Sequence, residues 1–203
     1  MKLYHFHLSG NAHKVRLALS LLGLPYEAEV PSGGAHKATE FLKLNPFGQV
    51  PVLVDGEVVV RDSQAILAYL GQRYGGDAWW PREAGRLAQV VAWLSTAANE
   101  VAHGPNLLRL HHKFGRPIDV AAAKARTAAL LAVLETVLTT QPWLVDGAAP
   151  TMADLAVYPY IALAPEGQVD LSPYPAVQAW LGRVQALPGH VDMPGTWSAK
   201  RAA

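Results

Sequence analysis

Along the first part of the chain, the pattern of hydrophobic and polar positions changes several times between one typical of strands and one typical of helices. A short strand is predicted over residues 2–7, and apolar residues then recur at helical spacing over 11–22, where Gly23 ends the helix. A second strand is predicted at 26–30 and a short helix at 37–44. This part of the chain is therefore expected to alternate strands with helices.

The clearest local signal is the sequence PVLVDGEVVV, in which two apolar runs are joined by Asp55-Gly56. That dipeptide favours the positive φ angles of a two-residue hairpin turn. A further helix is predicted from Ser63 and ends near Gly75. The resulting order, β-α-β-α-β-β-α, predicts an α/β unit of thioredoxin size over residues 1–78.

Strand-like patterns stop beyond that unit. Residues 79–84 are interpreted as a linker, and residues 85–203 are rich in Ala and Leu with helical periodicity, which predicts an all-helical second domain. Thr151 followed three residues later by Asp154 resembles a capping box. The helix that follows is apolar nearly all round, so we expect it to lie at the centre of the helical domain.

Composition and charge narrow the class of protein. Apolar residues make up 51% of the chain and charged residues 16%, which provides for a core and argues against disorder. The net charge of +1 and the lack of a basic run give no reason to expect nucleic acid as a partner. No apolar run approaches the ~18–20 residues that span a bilayer, so no membrane association is expected.

Cysteine and histidine usage bear on candidate chemistry. The chain has no cysteine, which excludes disulfides, thiolate metal sites and a cysteine nucleophile, and favours the reducing cytoplasm. Among the eight histidines, His5 and His7 would share a strand face, whereas His111 and His112 are helical neighbours that point apart. Neither pair matches a metal-binding motif, so we expect no metal site.

One candidate anion site lies between the first strand and the first helix. Ser9 places a hydroxyl at the N-terminus of that helix, where the helix dipole also favours negative charge. Ser9 or Asn11 could equally serve only to cap the helix.

Two further turns could complete a binding site. If the Val50-Pro51 bond is cis, the backbone N–H and C=O of Val50 face outward and can pair with an extended ligand. Asp62 and Ser63 open the third helix, where the serine hydroxyl and the helix amides suit a carboxylate and the aspartate suits an ammonium group. Each turn alone also fits an ordinary structural role.

Taken together, these turns resemble the cytosolic glutathione transferases. The resemblance is carried by SGNAHKVR at 9–16, NPFGQVPVL at 45–53, RDSQAI at 61–66 and the box at 151–154. It covers the whole chain. It implies the glutathione transferase architecture, with a thioredoxin-like glutathione-binding domain followed by an all-helical domain that contributes the electrophile pocket.

Within that family the chain is similar to serine-type theta- or phi-like bacterial members. Ala12 follows Asn11, so the chain does not match the cysteine-type omega or beta members, and the paired serines typical of maleylacetoacetate isomerases are missing. Gln49 stands where Lys or Arg is common, and Asp62 stands where Glu is common. These two departures keep open a second hypothesis, a protein of the same fold that serves binding or assembly.

The resemblance implies a role for each residue of the site. Ser9 is implied as the catalytic hydroxyl, with Asn11 as the alternative. The residues implied to hold glutathione are His36 and Gln49 at its glycine end, Val50 at its cysteinyl backbone, Asp62 and Ser63 at its γ-glutamyl end, and Glu100 from the partner of a homodimer. The residues expected to line the electrophile pocket are Leu8, His103, Asn106, Leu107 and Leu110. Glutathione is a cosubstrate, so no cofactor is expected.

The energy that thiol activation requires agrees with these roles. A free thiol has a pKa of about 8.5, and lowering that pKa by ~2 units requires roughly 2.7 kcal/mol of selective anion stabilisation. A charge-assisted hydrogen bond contributes about 1.5–3 kcal/mol, and a helix N-terminus contributes about 0.3–1 kcal/mol. Ser9 together with the first helix can therefore supply the required free energy.

The leading hypothesis is an enzyme that conjugates glutathione to a small hydrophobic electrophile. A glutathione-dependent reductase or isomerase is an alternative that shares the same first site. One helix of the second domain has more than one apolar stripe, which suggests either burial within the monomer or an interface with another chain. The resemblance to the dimeric transferases favours the interface and implies a homodimer. The residues of those stripes are Val90, Val91, Trp93, Leu94, Ala97, Ala98 and Val101.

Overall fold

The first half of the chain is built on a four-stranded mixed sheet. The computed structural model describes residues 1–197. The strands are β1 (Lys2–Tyr4), β2 (Glu27–Glu29), β3 (Val52–Asp55) and β4 (Val58–Arg61), in the order β2-β1-β3-β4. β1 runs parallel to β2 and antiparallel to β3, and β4 is antiparallel to β3.

Four helices complete this half. They are α1 (Gly10–Leu21), α2 (Thr39–Leu44), α3 (Ser63–Leu70) and α4 (Gly76–Trp79). The apolar residues of α1 that set its helical spacing are buried, and α1 packs against α3 within this half. The predicted order of strands and helices and the thioredoxin-like α/β fold are thus confirmed.

The rest of the described chain is helical. Its helices are α5 (Ala84–Ala98), α6 (Glu100–His103), α7 (Pro105–Phe114), α8 (Val120–Thr140), α9 (Met152–Ala162) and α10 (Pro175–Gln185). Every residue of α9 is buried, and this helix packs against α1, α5 and α10, which confirms its predicted central position. A single hydrophobic cluster therefore joins the two halves.

The capping box at the start of α9 is also confirmed, and its carboxylate, Asp154, makes further hydrogen bonds. The Thr151 side chain accepts from the Ala153 amide, and Asp154 accepts from the Thr151 amide at 2.8 Å. Asp154 also accepts from the Leu144 amide and from the indole N–H of Trp180, which is fully buried. One carboxylate thus joins α9 to the preceding loop and to α10.

Two local predictions are corrected by the structure. The first strand was expected over 2–7, but β1 ends at Tyr4, which pairs with Val52. The residue before Val52 is Pro51, which has no N–H to extend the ladder. The hairpin loop is Gly56-Glu57 rather than Asp55-Gly56, because Asp55 still pairs with Val58. Gly56 alone supplies the positive φ, at 60°.

The predicted division of the chain at residues 79–84 stays a prediction. Residues 198–203, at the end of the predicted helical domain, lie outside the described residues. Within residues 1–197, no helix is long and apolar enough to cross a membrane.

Candidate functional site

A cleft of about 580 Å³ lies between the sheet half and the helical half. The residues that line it from the sheet half are Phe6, Leu8, Ser9, Asn11, His36, Lys37, Gly48, Gln49 and Val50. The residues that line it from the helical half are Asn106, Arg109, Leu110, Phe114, Arg116 and Tyr160. The cleft therefore gathers residues from two of the three turns singled out in the sequence and from a part of the chain that is remote in sequence.

Ser9 is the N-cap of α1. Its Oγ accepts a hydrogen bond from the Ala12 amide at 3.2 Å, so the structural role expected for an N-cap is present. A serine hydroxyl can also donate one hydrogen bond. Among residues 1–197 nothing accepts that proton, and Ser9 lines the cleft. Capping the helix therefore leaves the hydroxyl able to donate to an anion at the helix N-terminus.

Tyr160 of α9 closes the cleft beside this helix end. A Cβ placed on Gly10 would lie 2.6 Å from Cε1 of Tyr160, so only glycine lets the ring pack this closely on α1. Burial raises the pKa of Tyr160 to about 12, and hydrogen bonding from the Asn11 backbone opposes that rise. The phenol therefore stays neutral at physiological pH. No local spacing in the sequence could have placed Tyr160 here.

The loop before β3 presents Gln49 and Val50 to the cleft. The Val50–Pro51 peptide is cis, as the resemblance to the glutathione transferases implies. The Asn45 side chain, which is 3% exposed, holds this loop by donating to the Gln49 carbonyl at 2.8 Å and accepting from the Phe47 amide at 3.1 Å. These bonds fix the backbone that a peptide-like ligand would pair with.

Asp62 and Ser63 border a smaller recess of about 60 Å³ that shares Asn11, Gln49 and Val50 with the cleft. Asp62 caps α3, because its Oδ1 accepts from the amides of Gln64 at 2.8 Å and Ala65 at 3.3 Å. Its φ of 72° lies in the left-handed region, which is rare for a non-glycine residue. Strained backbone of this kind is concentrated at binding sites.

Comparison with known proteins agrees with this geometry. Residues 3–78 match the family model "Glutathione S-transferase, N-terminal domain", and residues 101–188 match "Glutathione S-transferase, C-terminal domain". The chain is 33% identical over 204 residues to a maleylpyruvate isomerase of Ralstonia sp., which covers 95% of this chain and 93% of that protein. The chain belongs to the glutathione transferase family.

Other relatives cover the chain as fully. A disulfide-bond oxidoreductase of Escherichia coli is 30% identical and covers 91% of this chain and 90% of its own. The crystal structure of a glutathione S-transferase from Xanthobacter autotrophicus Py2 superposes with a TM-score of 0.87 at 35% identity, covering 96% of this chain and 97% of that one. The glutathione transferase architecture is thus confirmed for this family member.

Lys14 is a buried residue close to the smaller recess, although it is not among the residues that line either recess, and the sequence did not reveal its position. This side chain of α1 is fully buried, with its Nζ 3.4 Å from Oε1 of Gln64 and 5.4 Å from the ring centroid of Tyr160. Ser63 donates to the same Gln64 oxygen at 3.1 Å. Burial lowers the pKa of Lys14 to about 7, and the charge of Asp62 opposes that shift.

Arg109 of α7 is the second residue that sequence reasoning missed. It is 2% exposed and lines the cleft. Its Nε donates to Oε2 of Glu166 at 2.6 Å, and its Nη1 donates to the carbonyl of Leu8 at 3.0 Å. Lys113 also binds Glu166. Burial acts to raise the pKa of Glu166, but the hydrogen bonds from these two cations outweigh it, so the net pKa lies below its usual value.

The predicted electrophile pocket is only partly assembled in this cleft. Leu8, Asn106 and Leu110 line it, whereas His103 and Leu107 are not among the lining residues. His103 is exposed, because it lies on α6 with its Nδ1 2.9 Å from the Asn99 carbonyl. His103 precedes the backbone turn at Gly104 between α6 and α7, which the helical spacing of the sequence did not reveal, whereas Leu107 lies on α7 itself.

Glu100 lies apart from both recesses within one chain. It is half-buried at the start of α6, and its Oε1 accepts from the Asn99 side chain at 3.0 Å. Its proposed contact with a partner therefore stays a prediction. Within residues 1–197 no group of three or more His, Asp or Glu side chains is arranged to hold a metal ion.

Proposed function

We propose that this protein is a serine-type glutathione transferase in which Ser9 holds the thiolate of glutathione and transfer goes to an electrophilic carbon. The observation that carries the proposal is the Ser9 hydroxyl, which lines the cleft at the N-terminus of α1 with its proton uncommitted. A donor aimed at that position stabilises a thiolate more than a thiol.

The remaining turns supply positions for the rest of the tripeptide. The backbone of Val50 pairs with the cysteinyl residue, in the manner of an added strand. His36 and Gln49 hold the glycine end, and Asp62 and Ser63 hold the γ-glutamyl end. The arrangement is supported by the adjacency of the two recesses, which share the Val50 segment. Glu100 of the partner subunit completes the γ-glutamyl end in a homodimer.

The reaction needs no cofactor, because glutathione brings its own nucleophile. The thiol proton passes to solvent, and the sulfur attacks the electrophilic carbon. With an aryl halide, the C–S bond forms, the C–halogen bond breaks, and halide leaves with the bonding electron pair. We place this reaction in the cytoplasm, where glutathione is kept reduced.

Substitution of Ser9 by alanine tests the proposal. We expect Ser9→Ala to bind glutathione but to lower kcat/KM with an aryl halide by about 10- to 100-fold, the loss of one charge-assisted hydrogen bond. The pKa of bound glutathione, followed by the ultraviolet absorbance of its thiolate, should rise in the variant. Ser172→Ala, at an exposed position that lines neither recess, is the matched control. Unchanged activity and thiol pKa in Ser9→Ala would remove Ser9 from the mechanism and direct attention to Asn11.

Two alternatives remain tied to specific observations. A glutathione-dependent isomerase or reductase is favoured by the full-length similarity to the Ralstonia isomerase and the Escherichia coli oxidoreductase. A protein that binds or assembles without catalysis is suggested by Gln49 and Asp62, which depart from the common residues. Calorimetric titration with glutathione separates these classes, since an interaction protein would give no heat at millimolar ligand. A panel of aryl halides, alkyl halides, peroxides and activated alkenes then distinguishes glutathione transfer from reduction and isomerisation.

A further inference from the structure

The helical wall of the cleft contains a buried cation with spare hydrogen-bonding capacity. Arg109 uses Nε and Nη1, but its Nη2 is buried and has no hydrogen-bond partner among residues 1–197. A buried donor without an acceptor is costly, and buried guanidinium groups are normally saturated. An unsatisfied nitrogen on a residue that lines a cleft is what a site for an anionic ligand would show in its empty form.

The charges around Arg109 also favour an anion. No Asp or Glu is among the residues that line the cleft, whereas Arg109, Arg116 and Lys37 are. Glu166 forms ion pairs with both Arg109 and Lys113. Its single negative charge therefore neutralises only one of these two positive charges. The cleft thus carries a net positive charge against a whole-chain net charge of only +1.

The two carboxylates of glutathione do not account for Arg109 and Arg116. In the proposed function the γ-glutamyl carboxylate is held at Asp62-Ser63, and the glycine carboxylate lies beside Gln49, next to Lys37 and His36. Arg109 and Arg116 belong to the helical half, which the family uses for the second substrate. Two arginines are therefore left for the electrophile.

The hydrogen bonds that hold the Arg109 side chain would place an anion bound to it close to the reacting thiol. Its Nη1 holds the carbonyl of Leu8, the residue next to Ser9, while Glu166 fixes the other edge of the guanidinium plane. The Phe114 ring stands over Cζ of Arg109 at 5.3 Å and is 48% exposed. Leu8 and Leu110 offer apolar surface in the same cleft.

We propose that the electrophile is an amphipathic anion, with a carboxylate bound by Arg109 and Arg116 and an apolar reactive body that rests on Leu8 and Leu110. The assignment rests on the proposed function and adds the substrate class. Planar carboxylates suit an arginine fork, because two parallel N–H groups can meet the two oxygens.

A pair of substrates that differ only in charge tests this class. A chlorodinitrobenzoate and its methyl ester share the same reacting carbon and leaving chloride, and in both the thiolate sulfur displaces chloride. The enzymatic kcat/KM of each is divided by its uncatalysed rate constant. We expect the acid to be favoured over the ester by at least about tenfold, the effect of one charge-assisted hydrogen bond. Added salt should weaken this preference.

Variants assign the preference to the two arginines. Arg116→Gln removes an exposed charge, and Arg109→Lys keeps a charge for Glu166 but lacks the planar fork. Both should reduce the acid-to-ester ratio about tenfold, whereas Arg126→Gln, an exposed change on α8, should leave it unaltered. Thermal melting checks that Arg109→Lys folds, and Arg116→Gln tests the proposal if that variant does not fold.

Titration with the two finished S-conjugates gives a readout without turnover. Tighter binding of the acid conjugate, lost in Arg116→Gln, supports the anion site even if catalysis is slow. Equal acceleration of acid and ester, with equal binding of their conjugates, overturns the anion site while leaving the transferase assignment intact. Failure to bind glutathione or either conjugate overturns both.

Discussion

At the residue scale, Lys14 is a buried ionisable group close to the recess at Asp62 and Ser63. Its only hydrogen bond within residues 1–197 is a long one to Gln64, and burial lowers its pKa to about 7. Above that pH the folded protein holds a neutral amine, while the unfolded chain stays protonated up to a pH of about 10.4. Because the unfolded chain then binds more protons, stability must rise with pH across this interval.

We therefore predict that Lys14→Met raises the free energy of unfolding at pH 7 and below, by up to about 5 kcal/mol, the equivalent of the pKa shift. The variant should also abolish the rise in stability between pH 7 and 10. Urea unfolding at a series of pH values measures both effects. Lys124→Met on exposed α8 is the control. An unchanged pH slope in Lys14→Met would show that the amine is charged in the folded state.

The same scale shows which site residues the sequence could reveal. Ser9, Val50 and Asp62 were predicted because each stands at a turn whose function is encoded within a few residues of chain. Lys14 and Arg109 were missed because their roles depend on contacts with α9, α3 or Glu166, which are remote in sequence. A lysine inside an amphipathic helix gives no local sign that its face is buried.

At the element scale, α10 receives its N-terminal cap from another helix. Its own N-cap, Tyr174, makes no side-chain capping bond, and Pro175 follows at the first helical position. Glu135 of α8 supplies the acceptors instead, at 2.9 Å from the Ala176 amide and 3.0 Å from the Val177 amide. The carboxylate thus satisfies two otherwise unpaired donors and complements the positive end of the helix.

We predict that Glu135→Ala lowers the free energy of unfolding by about 1–2 kcal/mol, the usual effect of losing a helix cap. Glu135→Gln keeps one oxygen acceptor and should cost about half as much. Thermal unfolding measures both, and Glu57→Ala in the exposed hairpin turn is the control. Equal stability of Glu135→Ala and the wild type would mean that water replaces the cap without loss.

The boundaries of helices and strands were predicted correctly where nearby residues set them, and wrongly where residues remote in sequence set them. The capping box of α9 was predicted correctly because Thr151 and Asp154 act on their own helix. The end of β1 and the loop of the hairpin were misplaced, because both depend on which residue of the neighbouring strand lies opposite. The cap of α10 could not be predicted at all, because its acceptor lies 41 residues away.

At the scale of the whole molecule, α5 retains an apolar face that residues 1–197 of its own chain do not cover. Val90, Leu94 and Ala97 of this helix are buried in the core, as one stripe should be. Val91, on another stripe, is 49% exposed, and Ala98 one heptad later is also exposed. Burial among the described residues of one chain therefore does not explain the second stripe. A partner subunit would, as the resemblance to dimeric transferases implies.

We predict an isologous homodimer in which α5 faces the partner and Glu100 lies near the partner's Asp62. Light scattering at micromolar concentration should give a mass close to twice 21.8 kDa. Val91→Lys should raise the dissociation constant at least about a hundredfold, because a two-fold axis repeats the change in both subunits and each lysine would be buried without a counter-ion.

Val133→Lys provides the matched control for this change, since Val133 is 54% exposed on α8, away from the predicted interface. It should remain dimeric. If Glu100 of the partner subunit holds the γ-glutamyl amine, Glu100→Gln should weaken glutathione binding about tenfold in the dimer, and Val91→Lys should weaken it equally by separating the subunits. A monomeric wild-type protein with full glutathione-conjugating activity would contradict both the dimer and the role of Glu100, because every residue needed for binding would then come from one chain.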